Sequence, residues 1–414
     1  MPVLPVAPSP SFLTTDVRLP VESSDELAKE VALPAPTQVR PIKALDSNNS
    51  SDPELLERCD CTVEQLLMTL GRVTAGPASL RQAALDTAAL WALARYSWAF
   101  DTNMASGADI VLDAATDAVW RHNRTALSEN LGIAAACWLT ESYLLGQAPV
   151  VGIADVDNAI HILEEIGAVT GPAGLTGPRP DYLYFLMNST GVYQAIAIEC
   201  KGTAPRGSKS PRRQHLTDQL RDGVRQAVSW TVPGCLNEQF VFGSVLRDLR
   251  WTVHCLEAVP STPTGGGLRG ITAASLVNAG AARLLTYAGM YPAAYLLLRE
   301  PAGVLDLELA RMRTREVASL TVVGHSMFAT SPVGVVEIFH GVEQQTLAAI
   351  AGPVDGRGER MAAAQQAYHQ DRFTTGQSDL PIAPALRLEL GPDTLGLAAR
   401  DGCIQLIKRV AVGE

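Results

Sequence analysis

One stretch of this chain combines residue types and spacing that suit chemistry on a phosphate ester. Pro180-Asp181 is followed, after seventeen residues, by Glu199-Cys200-Lys201. In Ala195-Ile196-Ala197-Ile198-Glu199-Cys200-Lys201 the side chains of a strand alternate between two faces. Ile196, Ile198 and Cys200 share an apolar face, and Ala195, Ala197, Glu199 and Lys201 share the other. Asp181 opens the preceding strand, and Asn188-Ser189-Thr190-Gly191 has hairpin chemistry, so the open end of the hairpin returns Asp181 beside Glu199. Two carboxylates at one end of a sheet form a hard oxygen site that suits Mg²⁺, or Mn²⁺ in its place. Such a cation can bind a phosphoryl oxygen, acidify a water and stabilise the leaving oxygen. A lysine beside it can orient or help deprotonate the attacking water and screen the developing charge.

Scarcity sharpens the signal. Only five of the 33 basic residues are lysine (Lys29, Lys43, Lys201, Lys209 and Lys408), and only Lys201 has an acidic residue two positions before it. Arg206, Lys209, Arg212 and Arg213 then place four positive charges within eight residues, the local charge that nucleic-acid backbone binding requires. The helix expected over 212–229 carries a polar stripe of His215, Gln219, Asp222 and Gln226 and an apolar one of Leu216, Leu220, Val224 and Val228. Glu129, in Ser128-Glu129-Asn130, stands where an apolar helix is expected to begin, and simple N-terminal capping accounts for it as well. Gly324-His325-Ser326 lacks the glycine of a nucleophile elbow, and Gly265-Gly266-Gly267 lacks the Lys-Ser/Thr of a phosphate loop. Cys59-Asp60-Cys61 has no second pair to complete a zinc site.

Through Pro180, Asp181, Glu199 and Lys201 the chain resembles the PD-(D/E)xK nuclease superfamily, whose fold is restriction-endonuclease-like. The resemblance covers roughly residues 120–260. It implies a metal-dependent nuclease, with Asp181, Glu199 and the Cys200 carbonyl as metal ligands and Lys201 assisting the attacking water. Glu129 resembles the further acidic residue on the helix that opens the fold in this family, and Gln219 resembles the polar residue of the helix after the motif. DNA is favoured over RNA as substrate, and freestanding nucleases of this kind often serve restriction or anti-phage defence. The other reading is a non-catalytic subunit that keeps the fold and binds nucleic acid or a partner protein.

The whole chain sets limits on these expectations. Its 414 residues are enough for two to three domains. With 47% hydrophobic and 18% charged residues it can bury a sizeable core. A net charge of −10 excludes a general nucleic-acid coat but leaves room for a localised basic groove. Seven scattered cysteines argue for reduced thiols in a cytoplasm. Met1–Thr15 has no basic region before an apolar run, so it does not read as a secretory signal, and no purely apolar stretch is long enough to span a membrane.

The expected fold class is α/β, with a mixed-sheet nuclease core, a helical N-terminal region and a second α/β or α+β C-terminal domain. Residues 1–50 read as an extended or disordered arm, 51–120 as helical, 121–260 as the nuclease-like domain and 268–414 as the C-terminal domain. Helices are expected from Asp52, over 79–99, 109–120, 128–145 and 158–166, and later near 271–290, 342–351 and 358–371. Strands are expected over 181–187, 192–201, 240–246 and 251–259, and near 317–323, 333–339, 384–390 and 403–411. Residues 261–267 read as a linker. The C-terminal domain would supply targeting, homo-oligomerisation or the docking of a partner protein.

Overall fold

The computed structural model describes residues 13–32, 37–45, 57–74, 92–93, 95–119, 121–146, 148–157, 179–188, 190–204, 213–229, 231–232, 234–260, 272–299, 314–331, 334–372, 385–390 and 394–410. In chain order the main elements begin with β1 (Val17–Glu22), α1 (Asp25–Val31), β2 (Thr37–Arg40), β3 (Glu57–Cys61), α2 (Val63–Val73) and α3 (Arg121–Leu139). They continue with β4 (Val150–Asp155), β5 (Tyr182–Met187), β6 (Tyr193–Thr203), α4 (Arg213–Val228), β7 (Leu236–Arg247) and β8 (Arg250–Pro260). The C-terminal part holds α5 (Ala273–Tyr287), α6 (Tyr291–Arg299), β9 (Thr314–Val317), β10 (Leu320–Ser331), β11 (Gly334–Glu343), α7 (Gln344–Ile350), α8 (Arg357–Arg372), β12 (Ala385–Glu389), β13 (Thr394–Ala399) and β14 (Cys403–Val410).

The protein is α/β with a mixed sheet. Eight strands form one sheet in the order β3-β1-β8-β7-β6-β5-β4, with β2 also paired to β8. β4 pairs antiparallel with β5 and β5 antiparallel with β6, and β6 then pairs parallel with β7 through the crossover helix α4. β5 is buried along its whole length, which its continuous apolar run Tyr182-Leu-Tyr-Phe-Leu-Met anticipates. At the β5–β6 turn Asn188 Oδ1 accepts from Thr190 N at 3.0 Å and Val192 N at 2.8 Å, and Gly191 has φ 76°, which closes the expected hairpin.

Each face of this sheet has its own cover. α3 packs on the face that carries Tyr182, Tyr184, Ile196, Ile198 and Phe242. On the opposite face α4 lays Leu216, Leu220, Val224 and Ala227, spaced as an apolar helical stripe, against Val241, Leu256 and Ala258. α5 covers β4 on that same second face, where Val151, Leu183 and Phe185 pack with Leu276, Leu284 and Leu285.

The C-terminal strands form a six-stranded antiparallel sheet, β12-β13-β14-β11-β10-β9. Val323, Val342, Leu397 and Cys403 of that sheet belong to the same core as Val151 and Phe185 of the first, so the two sheets share a continuous apolar interior. A buried ion network crosses the same junction. Asp401 Oδ2 accepts from Arg72 Nη1 at 2.8 Å and from Arg283 Nη2 at 2.5 Å, and Arg72 also pairs with Glu141. Tyr184 of β5 donates to Glu141 Oε1 at 2.7 Å, and Arg400 donates to the Glu141 carbonyl at 2.8 Å. Glu141 belongs to the π turn Thr140–Leu144 that ends α3.

Several expectations are corrected. Within the N-terminal 50 residues, the described segments 13–32 and 37–45 are not an extended arm: β1 pairs antiparallel with β3 and parallel with β8, β2 pairs with β8, and Leu19, Val21 and Leu27 are fully buried. The helix expected from Asp52 begins at Val63, after strand β3, where Thr62 and Gln65 form a reciprocal capping box. Residues 109–120 are not one helix; they include bridges through Val111 and Leu112 and a single helical turn, Ala115–Ala118. The helix expected from Ser128 starts at Arg121, so Ser128 and Glu129 lie inside it and do not cap it. Most of 79–99, the helix expected over 158–166 and the linker 261–267 lie outside the described residues. Among the described residues no helix is long and apolar enough to cross a membrane.

Candidate active site

Asp181, Glu199 and Lys201 come together on one face at one end of the eight-stranded sheet. Tyr182 pairs with Ile198 in the β5–β6 ladder, so Asp181 stands next to Glu199. Leu183 and Phe185, two and four positions after Asp181, share a core with Ala195 and Ala197, which identifies the common face. The Cys200 N–H donates to Asp181 Oδ2 at 2.7 Å and fixes that carboxylate against the neighbouring strand. Lys201 Nζ pairs directly with Glu199 Oε1.

Burial dominates the electrostatics. Glu199 is 0% exposed, and its Oε2 makes no hydrogen bond among the described residues. Desolvation, reinforced by the neighbouring Asp181 charge, pushes the Glu199 carboxyl up to about 8, against the pull of Lys201. Burial also raises Asp181; the Cys200 N–H and Lys201 oppose this, while Asp155 and Asp157 push the same way as burial. For Lys201 burial alone would lower the ammonium, but the carboxylates of Glu199 and Asp181 overcome it and hold it above the ordinary lysine value. Lys201 is therefore a fixed positive charge at neutral pH.

Helix α4 forms the roof. A Cβ on Gly223 would meet Val241 Cγ1 at 2.7 Å, Glu199 Cγ at 3.2 Å and Lys201 Cε at 3.8 Å. The helix thus sits low enough over the motif to exclude water from Glu199 because residue 223 has no side chain. Replacing Gly223 with alanine is expected to cost about 1–3 kcal/mol through overpacking and to displace Glu199 and Lys201. Urea unfolding of the variant, read beside its activity, checks both effects. Gln219 lies one helical turn before Gly223 on α4, and its Oε1 is buried without a hydrogen-bond partner among the described residues.

Not every expected residue joins the site. Glu129 is exposed on α3, which packs on the other face: a Cβ on Gly202 would strike the Ser128 and Glu129 backbone at 2.6 Å. The Cys200 thiol also faces α3, so this residue contributes only its main chain to the site side. Of the basic loop, Arg206, Lys209 and Arg212 lie outside the described residues, and Arg213 is the first residue of α4. Of the polar stripe on α4, His215 is exposed, and Asp222 is exposed and paired with Arg225. Asp155, at the end of β4, does not join the site: it pairs with Tyr182 and so falls on the α3 face, and it acts on Asp181 only through its charge.

Cys59 and Cys61 are both buried in the α3-side core, where desolvation pushes Cys59 up to about 12 and Cys61 higher still, which suits apolar packing. Among the described residues no cluster of three or more His, Cys, Asp or Glu side chains is arranged as a ready-made metal cage. The motif offers two carboxylates, a number compatible with a cation that keeps several waters and takes further ligands from a phosphate substrate. The partnerless, fully buried Glu199 Oε2 beside Asp181 fits such a cation. Compared with known protein families, curated proteins and solved structures, the chain matches none.

Proposed function

We propose that the protein is a metal-dependent nuclease with a restriction-endonuclease-like core, hydrolysing phosphodiester bonds in nucleic acid, with DNA as the favoured substrate. One observation carries this reading: Asp181, Glu199 and Lys201, nearly the full reach of a hairpin apart in sequence, lie side by side on one sheet face under a helix that shields Glu199. The surrounding order supports it, with a helix (α3) before the hairpin strands and a crossover helix (α4) leading to a parallel strand (β7).

Mg²⁺ or Mn²⁺ would be held by Asp181 and Glu199, with the Cys200 carbonyl as an added ligand, and would supply Lewis-acid stabilisation of the phosphoryl charge and a more acidic water. The chain's own groups do the rest. The Cys200 N–H orients Asp181. Lys201, held protonated, stabilises negative charge on the phosphoryl oxygens and orients the attacking water, and a base role is disfavoured. The open Oε1 of Gln219 can accept a hydrogen bond from a water or a substrate hydroxyl.

Cleavage of plasmid, single-stranded DNA and RNA with Mg²⁺ or Mn²⁺, comparing wild type with Asp181→Ala and Lys201→Ala, tests the proposal. Activity in wild type that both variants lose is the expected result; equal activity in all three, or none in wild type with either cation, overturns it. Cation binding also has its own signature. A carboxyl that titrates near 8 must release its proton to become a ligand, so at pH 7 the uptake of one Mg²⁺ should release about one proton. Titration calorimetry in buffers of different ionisation enthalpy reads this number, which should fall towards zero above pH ~9 and vanish in Glu199→Gln.

A further inference from the structure

Beyond the motif, the same sheet face continues as an open groove of about 580 Å³ lined by Val245, Arg247, Asp248, Arg250, Thr252 and His254. The ladders connect it to the site. Lys201 pairs with Gly243, which pairs with His254; Thr203 pairs with Val245, which pairs with Thr252. Directly paired residues share a face, so the groove floor is the continuation of the Glu199–Lys201 face past the point where α4 covers it. Leu216 and Leu220 of α4 still cover Gly243, and the helix begins at Arg213.

Two cations stand at the far end. Arg247 and Arg250 are a directly opposed pair that closes the β7–β8 hairpin. The tip between them, Asp248 and Leu249, has φ 49° and 60°, a two-residue turn whose twist suits the strands and whose position Leu112 N anchors by donating to the Leu249 carbonyl at 2.8 Å. Like charges set opposite each other cost stability in a ladder. Asp248 pairs with Arg247 at 3.1 Å, whereas Arg250 is exposed and makes no ion pair among the described residues. His254, at the inner end, is held by Glu22 at 2.8 Å. Two arginines against one aspartate therefore leave the far end of the groove net positive, in a chain whose total charge is −10.

Resting on the nuclease reading, we infer that this groove is the track of the substrate's phosphate backbone, with Arg247 and Arg250 as phosphate contacts. The spacing agrees. Arg247 is one strand over from Lys201 and four residues farther along, about 14 Å from strand geometry, or about four nucleotides of a stacked strand. Bridging phosphates also relieve the repulsion between the two guanidinium groups.

The test is binding of fluorescein-labelled 20-nucleotide single strands and 20-base-pair duplexes by the full chain in Ca²⁺, followed by anisotropy over a salt series, beside a cleavage assay in Mg²⁺. Arg247→Ala with Arg250→Ala should weaken binding about 10–100-fold and reduce the salt slope by about 1.4 for single strands or 1.8 for duplexes. Arg247→Lys with Arg250→Lys should keep the slope, which separates lost charge from lost fold. An unchanged slope in the alanine pair, with wild type binding and cleaving, overturns the groove and leaves the nuclease standing. Arginine-dependent binding by a wild type that never cleaves keeps the groove and overturns the nuclease. A wild type that neither binds nor cleaves overturns both.

Discussion

Lys201→Ala should lower the rate of phosphodiester cleavage by about 10³-fold, or about 4 kcal/mol of transition-state stabilisation. Lys201 is the cation paired with Glu199, and its charge favours the ionised form of both carboxylates of the motif. Its loss therefore removes charge compensation at the phosphoryl group and leaves Glu199 buried beside Asp181 with only the Asp181 backbone to favour its ionised form. The second consequence has a definite sign. Glu199 titrates near 8 in the fold against an ordinary value of 4.5, so its contribution to stability is present below 4.5 and declines as pH rises towards 8. Lys201→Ala raises the folded value further and steepens that decline, so urea midpoints of variant and wild type should agree more closely at pH 5 than at pH 9. A variant that keeps wild-type cleavage assigns Lys201 to structure alone. Lys201→Arg, which keeps charge but not the compact ammonium geometry, should restore the alkaline stability better than the rate.

Asp401→Ala should be the most destabilising single change at the junction of the two sheets, at about 3–5 kcal/mol. Asp401 is 1% exposed and accepts from both Arg72 and Arg283, so its removal strands two buried guanidinium groups: Arg72 keeps Glu141, while Arg283 keeps only its hydrogen bond to the Arg72 carbonyl. Burial works against the Asp401 charge, but Arg72 and Arg283 hold the carboxyl far below its ordinary value of 3.8. A lowered carboxyl contributes stability that is present above 3.8 and is lost as pH falls through the folded value, so wild type should lose stability on acidification below about pH 4 and Asp401→Ala should show less of that loss. Chemical denaturation at pH 7 and pH 3.5 measures both. Since folded domains retain only about 5–15 kcal/mol, a variant as stable as wild type at pH 7 would mean that the network carries little net energy.

The network also crosses the boundary that composition suggests. Ser261-Thr-Pro-Thr-Gly-Gly-Gly has the look of a linker, and residues 268–414 read as a separate unit. Yet Asp401 is joined to Arg72, and Arg400 reaches the carbonyl of Glu141 in the turn that ends α3. Local composition records where a chain can bend, and it carries no record of which surfaces pack afterwards.

The motif was legible because its determinants are local. A period of two separates Ile196, Ile198 and Cys200 from Ala195, Ala197, Glu199 and Lys201, and the turn at Asn188–Gly191 folds Asp181 back beside them. The apolar stripe of α4 was legible for the same reason, since Leu216, Leu220 and Val224 bury together as their spacing requires. Strand β1 was not: Val17–Glu22 has ordinary strand content, but its partners lie about forty residues on in β3 and more than 200 residues on in β8. Glu129 failed differently, because a helix boundary seven residues early moved it from a cap to the middle of α3, on the far face of the sheet from Lys201.

By itself, then, the sequence determined which residues share a strand face, which turn joins them and which side chains could meet a phosphate, because backbone geometry sets these within a few residues. Only the tertiary structure decided that Glu199 is fully buried under Gly223, that its carboxyl keeps a proton to about 8, and that Arg247 and Arg250 extend the same face. Those properties depend on what excludes water and which strands lie side by side, and both are fixed by contacts between segments far apart in the chain.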